Sequence, residues 1–195
     1  MTKYKSLLFF GAPGCGKGTQ GQVLGGLPGC FHLAMGDVFR SMDKESELGK
    51  IFTEYSSSGR LVPDELVIKI WAEHMEKLAK AGKFKPEKDI LILDGLPRTV
   101  EQAEVLKKYI TVIKVIHINC DDKNALVKRI QNRAKDSGRA DDAKEDVIRN
   151  RLAVYEKETY PVLEKYSKDS IANIDGLKTP MQVLKQILDV VVPLI

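Results

Sequence analysis

Residues Gly11-Ala12-Pro13-Gly14-Cys15-Gly16-Lys17-Gly18-Thr19-Gln20 follow directly on the apolar run Ser6 to Phe10 and lead into helix-compatible residues. That succession restricts the chain to folds in which a buried strand delivers a glycine-rich turn onto the start of a helix. The glycines let backbone N–H groups converge on an anion, the helix start adds its positive end, and Lys17 brings a mobile charge, so the stretch is a phosphate-binding loop. The general pattern G-x-x-x-x-G-K-[ST] is met except at its last position, where Gly18 stands and the hydroxyl comes one residue later at Thr19.

Further apolar runs, Cys30 to Leu33, Ile90 to Leu93, Val112 to Ile118 and Ile171 to Ile174, read as strands, and the most continuous of them suit burial on both faces. Helical patterns lie between. Asp37 caps one whose first turn carries Arg40, Ser46 to Ser57 forms another, and Asp64 starts a longer one with Leu66, Val67, Ile70, Trp71, Met75 and Leu78 at helical spacing. Trp71 and Met75 belong to the core on this pattern. Val100 to Tyr109, Asp122 to Arg133 and Lys144 to Glu158 follow, and Thr179-Pro180 opens a last helix with Val183, Ile187 and Val190 on one face. Strands alternating with helices predict an α/β fold with a doubly wound, parallel five-stranded sheet, whose ligands bind beyond the carboxyl ends of the strands. Lys17 and Asp94 both fall at that edge. The stretch from Ala134 to Glu145 has almost no apolar residues and is expected to lie exposed, as a loop or a mobile cover.

At 195 residues the chain suits one domain, residues 1–195. Its net charge of +4 arises from 31 basic and 27 acidic residues mixed along the sequence, which gives no polycation tail and no reason to expect nucleic acid. Cys15, Cys30 and Cys120 lie far apart without CxxC spacing or nearby histidine partners, the pattern of reduced thiols in a cytoplasmic protein and not of zinc or disulfides. No apolar stretch approaches membrane-spanning length, and the N-terminal apolar run is too short for a signal peptide. Arginines at element ends and in the exposed cover, together with a strand-terminal Asp94, suit a site that holds several phosphates and a hydrated Mg2+.

Taken in order, GAPGCGKGTQ at 11–20, HLAMGDVFR at 32–40, GRLVP at 59–63, ILDGLPRT at 92–99 with Gln102, SGRADD at 137–142 and RLAVYEKETYP at 151–161 resemble the adenylate kinases. The resemblance implies the P-loop nucleoside triphosphate fold, with a monophosphate-binding segment at 34–63 and a short lid at 134–145, and the reversible reaction ATP + AMP to two ADP with Mg2+. On its terms Gly14, Cys15, Gly16, Lys17, Gly18 and Thr19 hold ATP phosphates, with Lys17 on the transferred group. Arg133 contacts ATP from the lid hinge, and the backbone near Lys178 borders its adenine. Met35, Arg40, the backbone of Arg60, Leu61 and Val62, the turn Gly95, Leu96, Pro97, Arg98, and Gln102 fall on the AMP side. Arg139 and Arg151 bridge toward the reacting phosphates, Arg129 is a further candidate there, and Asp94 orients Mg2+ through water. Asp37 is structural in this scheme, and Thr99 is part of a turn. The expected partners are ATP, AMP and ADP alone, taken by a cytoplasmic monomer without nucleic acid or membrane.

Met35 departs from the family pattern: the position is Thr in adenylate kinases and Ala in uridylate-cytidylate kinases. A thioether cannot donate as a hydroxyl does, although it packs well against a base. Gln102 argues for adenine, because its amide can pair with that edge where the pyrimidine kinases carry Asn. A UMP/CMP or broad-specificity kinase therefore stands as an alternative. So does a nucleotide-binding module without transfer, against which Lys17, Asp94 and the arginines speak. The Asn-Lys-x-Asp motif of GTPases is absent.

Overall fold

The computed structural model describes residues 3–137, 142 and 144–195. Strands β1 (Tyr4–Phe10), β2 (Cys30–Ala34), β3 (Ile90–Asp94), β4 (Ile110–Asn119) and β5 (Ile171–Asp175) form one parallel five-stranded sheet in the order β2-β3-β1-β4-β5. The expected doubly wound architecture is therefore the observed one. Side chains alternate across a strand, so β1 divides its residues between the two faces: Leu8 and Phe10 enter one core, Leu7 and Phe9 the other. That is why the run is apolar without a break.

Helices α1 (Lys17–Gly25), α2 (Met35–Arg40), α3 (Glu47–Ser57), α4 (Asp64–Lys80), α5 (Val100–Leu106), α6 (Lys123–Ser137), α7 (Glu145–Val154) and α8 (Pro180–Val191) cover the sheet. Trp71 and Met75 of α4 are fully buried beneath one face, as their spacing predicts, with Phe84 beside them. Ile130 of α6, Ile148 of α7 and Ile187 of α8 are fully buried under the other. Helix α1 lies close on β2 because Gly21 and Gly25 have no side chain; a Cβ at either would collide with His32.

Three expectations are corrected. Asp37 does not cap α2: the helix begins at Met35, Asp37 lies in its first turn and Arg40 is its last residue, so the acid pairs with Arg40 at 2.6 Å. Helix α6 runs on to Ser137, past Arg133: Ala134 and Lys135 are good helix formers, and a helix already nucleated continues without needing burial. On α8 the third buried residue is Val191, one position beyond the expected Val190, and completes the set Val183, Ile187, Val191. Thr179 caps this helix in a reciprocal box with Gln182. Among the described residues no helix is long and apolar enough to cross a membrane.

Candidate active site

All parallel strands point their carboxyl ends the same way, so the turn after β1, the ends of β3 and β4 and the segment after β5 meet at one edge. There the turn after β1, the ends of β2 and β3 and the segment after β5 line a cleft of about 670 Å3, within the size range of small-molecule sites. The loop after β1 owes its path to positive φ angles at Gly11 (+146°), Gly14 (+83°) and Gly16 (+106°). A Cβ at Gly14 would lie 2.9 Å from the Ile130 side chain and 3.0 Å from the Leu126 carbonyl, so the loop fits against α6 only as glycine. Gly16 precedes α1, whose first residue is Lys17. The Lys17 ammonium donates to the carbonyls of Gly11 at 2.6 Å and Ala12 at 3.1 Å, and lies 3.7 Å from Cys15 Sγ. The loop thus holds its cation over its own concavity. Cys15, Gly18 and Thr19 complete the cleft wall on this side.

Asp94 ends β3, paired in register with Phe9 and Ala34 and 8% exposed. Burial acts to raise its pKa, but His32, Lys17 and Arg98 around it outweigh burial and hold the carboxyl below its usual range. His32 Nε2 is 3.9 Å from Oδ2, near but beyond hydrogen-bond distance. A Cβ at Gly18 would be 3.7 Å from the same oxygen, so carboxylate and loop backbone face one another. Among the described residues no cluster of three or more His, Cys, Asp or Glu is placed to bind a metal. A lone ionised carboxylate beside the glycine-rich loop fits Mg2+, which keeps most of its water and takes few protein ligands.

On the other side of the cleft, Met35 opens α2 and is buried at 1% exposure. Arg40 closes the same helix over Gly36, where a Cβ would press on its guanidinium. Arg60, Leu61 and Val62 follow the α3 terminus and line the cleft; Arg60 also lies 4.7 Å over the Tyr55 ring. The turn Gly95 to Arg98 carries the cis Leu96–Pro97 peptide, and Arg98 Nε donates to the Gly95 carbonyl at 3.0 Å. Leu96 packs inward at 2% exposure while Gly95, Pro97 and Arg98 face the cleft. Gln102, on α5, reaches the cleft too, held by Asp64 and by the Arg98 backbone at 2.7 Å each.

Arg129 and Arg133 of α6 and Arg151 of α7 line the cleft as well. Arg129 Nη1 donates to the Gly176 carbonyl at 2.7 Å, which ties α6 to the segment leading to Lys178. Arg133 grips Asp142 by Nε at 2.8 Å and Nη2 at 3.0 Å, and Arg151 Nη1 donates to the same carboxylate. Asp142 is fully buried, so the stretch expected to lie exposed contributes one wholly enclosed residue. The expectation for Arg139 lies outside the described residues. The His117 imidazole meets Asn173 Oδ1 through Nδ1 at 2.9 Å and the Tyr155 hydroxyl through Nε2 at 3.3 Å. An amide oxygen only accepts, so Nδ1 carries the proton and Nε2 accepts from Tyr155. Burial pushes the His117 pKa down, with the Asn173 hydrogen bond opposing and the Lys17 charge assisting. Burial likewise raises the Tyr155 phenol.

Most residues singled out in the sequence therefore converge on one cleft, Lys178 included. Sequence reasoning missed Asp142, Asp64 and the His117–Tyr155 pair. The first sits in the block SGRADD beside the arginine that drew attention, and the second was visible only as a helix start.

A family profile described as Adenylate kinase matches residues 9–171. The chain is 39% identical over 181 residues to an adenylate kinase of Bacteroides thetaiotaomicron, covering 89% of this chain and 91% of that protein. It is 37% identical over 193 residues to one from Parabacteroides distasonis, with 95% and 97% covered, and 38% identical over 194 residues to one from a Cyanothece species, with 95% and 94% covered.

Proposed function

The chain belongs to the adenylate kinase family, and from that membership we propose that its cleft seats ATP on the Gly14–Thr19 loop and AMP between α2 and the Gly95–Arg98 turn. The enzyme transfers the terminal phosphoryl group of ATP to AMP and forms two ADP, reversibly. The observation that carries the seating is the convergence of Lys17, Arg40, Arg98, Arg129, Arg133 and Arg151 on one cleft at the carboxyl edge of the sheet.

Phosphoryl transfer asks the protein chiefly to position groups and neutralise charge. Loop amides and Lys17 hold the ATP phosphates, with Lys17 on the group in transit. Arg40 and Arg98 hold the AMP phosphate in line with it. Arg133 and Arg151, from facing helices, cover the equatorial oxygens where charge spreads, and Arg139 and Arg129 add to that cover. The backbone near Lys178 borders the ATP adenine. Asp94 would hold a hydrated Mg2+, whose charge would offset that of the phosphate oxygens. Residues 134–145 act as a short lid that excludes water, so that AMP and not water accepts the phosphoryl group. The three cysteines are free thiols, which supports a reducing compartment such as the cytoplasm.

Initial rates of ADP formation from Mg-ATP with AMP, CMP, UMP and GMP as acceptors test the reading. AMP is expected to lead the panel. Comparable or faster turnover of a pyrimidine nucleotide would overturn it.

A further inference from the structure

Asp64 opens α4 and Gln102 lies in the first turn of α5, yet their side chains meet: Gln102 Nε2 donates to Asp64 Oδ1 at 2.7 Å. The other carboxylate oxygen accepts from the Thr99 hydroxyl at 2.8 Å. Gln102 Oε1 accepts from the Arg98 backbone N–H at 2.7 Å. Thr99 in turn caps α5, its Oγ1 accepting from the Gln102 N–H at 3.1 Å.

A glutamine amide presents one donor group and one acceptor of nearly the same shape, and in most surroundings it can flip between them. Here both partners have fixed polarity. A carboxylate only accepts and a backbone N–H only donates, so a flipped amide would set oxygen against oxygen and N–H against N–H. One hydrogen of Nε2 and one lone pair of Oε1 remain for the cleft that Gln102 lines, with their order fixed.

That order distinguishes two kinds of purine. A 6-aminopurine offers an acceptor at N1 and a donor at its amino group; a 6-oxopurine offers a donor at N1 and an acceptor at its oxygen. In one pose, the amide that pairs with the first opposes the second at both positions. We infer that Asp64 is a positioning residue for acceptor specificity: by locking the Gln102 amide it selects 6-aminopurine over 6-oxopurine nucleoside monophosphates. The inference rests on the reading of AMP as acceptor with its base at Gln102. Asp64 itself need not touch the nucleotide.

The test is kcat and KM for AMP and for IMP, at saturating Mg-ATP, in the wild type and in variants whose folding is checked by circular dichroism and thermal unfolding. Asp64→Ala is expected to raise the KM for AMP about tenfold and to lower the AMP-to-IMP ratio of kcat/KM by about tenfold, the scale of one misplaced hydrogen-bonding pair. The KM for ATP and kcat with AMP stay within about twofold if only the base is affected. Asp64→Asn still offers Oδ1 to Nε2 and retains most of the preference. Asp64→Ser, well suited to a helix start but too short to reach Gln102, reproduces the alanine effect should Asp64→Ala fail to fold. In a Gln102→Leu background the Asp64→Ala effect vanishes, because it acts through the amide. An unchanged AMP-to-IMP ratio, or an equal effect with and without Gln102, overturns the inference while leaving the kinase reading intact. A wild type that does not phosphorylate AMP overturns the kinase reading itself, and an unaltered KM for AMP in Gln102→Leu removes Gln102 from the base.

Discussion

Gly59 ends α3 in a left-handed conformation, φ +71°, and packs directly on α7: a Cβ there would lie 2.9 Å from Arg151 Cγ and 3.1 Å from the Val147 carbonyl oxygen. Beside it Asn150 Nδ2 donates to the Ser58 carbonyl at 2.6 Å. Gly59→Ala therefore carries two separable costs. Left-handed backbone costs a residue with a Cβ about 1 kcal/mol in any folded conformation. The second cost arises only while the segment 34–63 rests on α7. Arg151 is flexible and can yield, but Val147 O is helix backbone, so relieving the contact means moving the turn, at about 1 kcal/mol or more. Gly82 supplies a matched control, with φ +67° and nothing within 4 Å of an added Cβ. Gly82→Ala should lose about 1 kcal/mol of stability, a shift of about 2–4 °C in Tm for a chain of this size, and Gly59→Ala about 2 kcal/mol, because both costs fall on the described conformation. Only Gly59→Ala should raise the KM for AMP, by about fivefold to tenfold, since roughly 1.4 kcal/mol corresponds to tenfold. Thermal unfolding of the two variants isolates the contact cost by difference, and coupled initial rates with AMP varied show whether it reaches the acceptor site. Matching kinetics in the two variants would refute a docked Ser58–Gly59 turn as part of the acceptor site.

Lys17→Ala should lower kcat by about two to three orders of magnitude with Tm near wild type, the scale for removing one preorganised transition-state cation; a near-normal kcat would sink its assigned role. Asp142→Asn replaces one acceptor oxygen between two guanidinium groups by a donor. Denaturant unfolding should show a loss of about 2 kcal/mol, below the full cost of breaking a buried pair because the Arg133 side chain is 35% exposed. Tyr166 is pushed up to about 12, by burial first and by Glu104 second. Its contribution is complete below the unfolded phenol's pKa of about 10 and disappears as pH rises through 12, so wild-type stability should fall over that window by on the order of 2 kcal/mol more than in Tyr166→Phe. Equal alkaline loss in the two proteins would exclude Tyr166 as the source.

What was legible in the sequence is what depends on neighbours along the chain. The Gly11 to Gln20 loop and the Gly95 to Arg98 turn are local; their backbones are written in glycine and proline, and the strands before them in unbroken apolar runs. Trp71 and Met75 announced their burial by helical spacing alone. Asp37 misled because a short polar residue before a helix usually caps it, whereas here a salt bridge to Arg40 drew it inside the first turn. Asp142 and Asp64 were not legible, because their partners arrive from other elements. An acid in a polar stretch looks solvated until the fold shows Arg133 and Arg151 on both sides of it. His117, embedded in an apolar strand, likewise acquires its meaning only from Asn173 on β5 and Tyr155 after α7.

Several cations of the cleft lie against carboxylates in a way that bears on which anions the site accepts. Arg40 is paired with Asp37, Arg133 and Arg151 share Asp142, and Lys17 and Arg98 act on Asp94. An anion entering such a site does not meet bare charge; it competes with an oxygen acid already in place. A monoanion gains little by that exchange, since it replaces one carboxylate contact by a similar one and loses its own hydration. A phosphate dianion offers three oxygens and more charge to the same planar forks, so the exchange favours it. Internal carboxylates therefore lower the affinity of each arginine for anions in general while sharpening the preference for phosphate. The same pairing fixes guanidinium positions before a nucleotide arrives, which limits the ordering cost at the moment of binding. Asp142 fixes two arginines at once, Arg133 from α6 and Arg151 from α7, both on the wall of the one cleft.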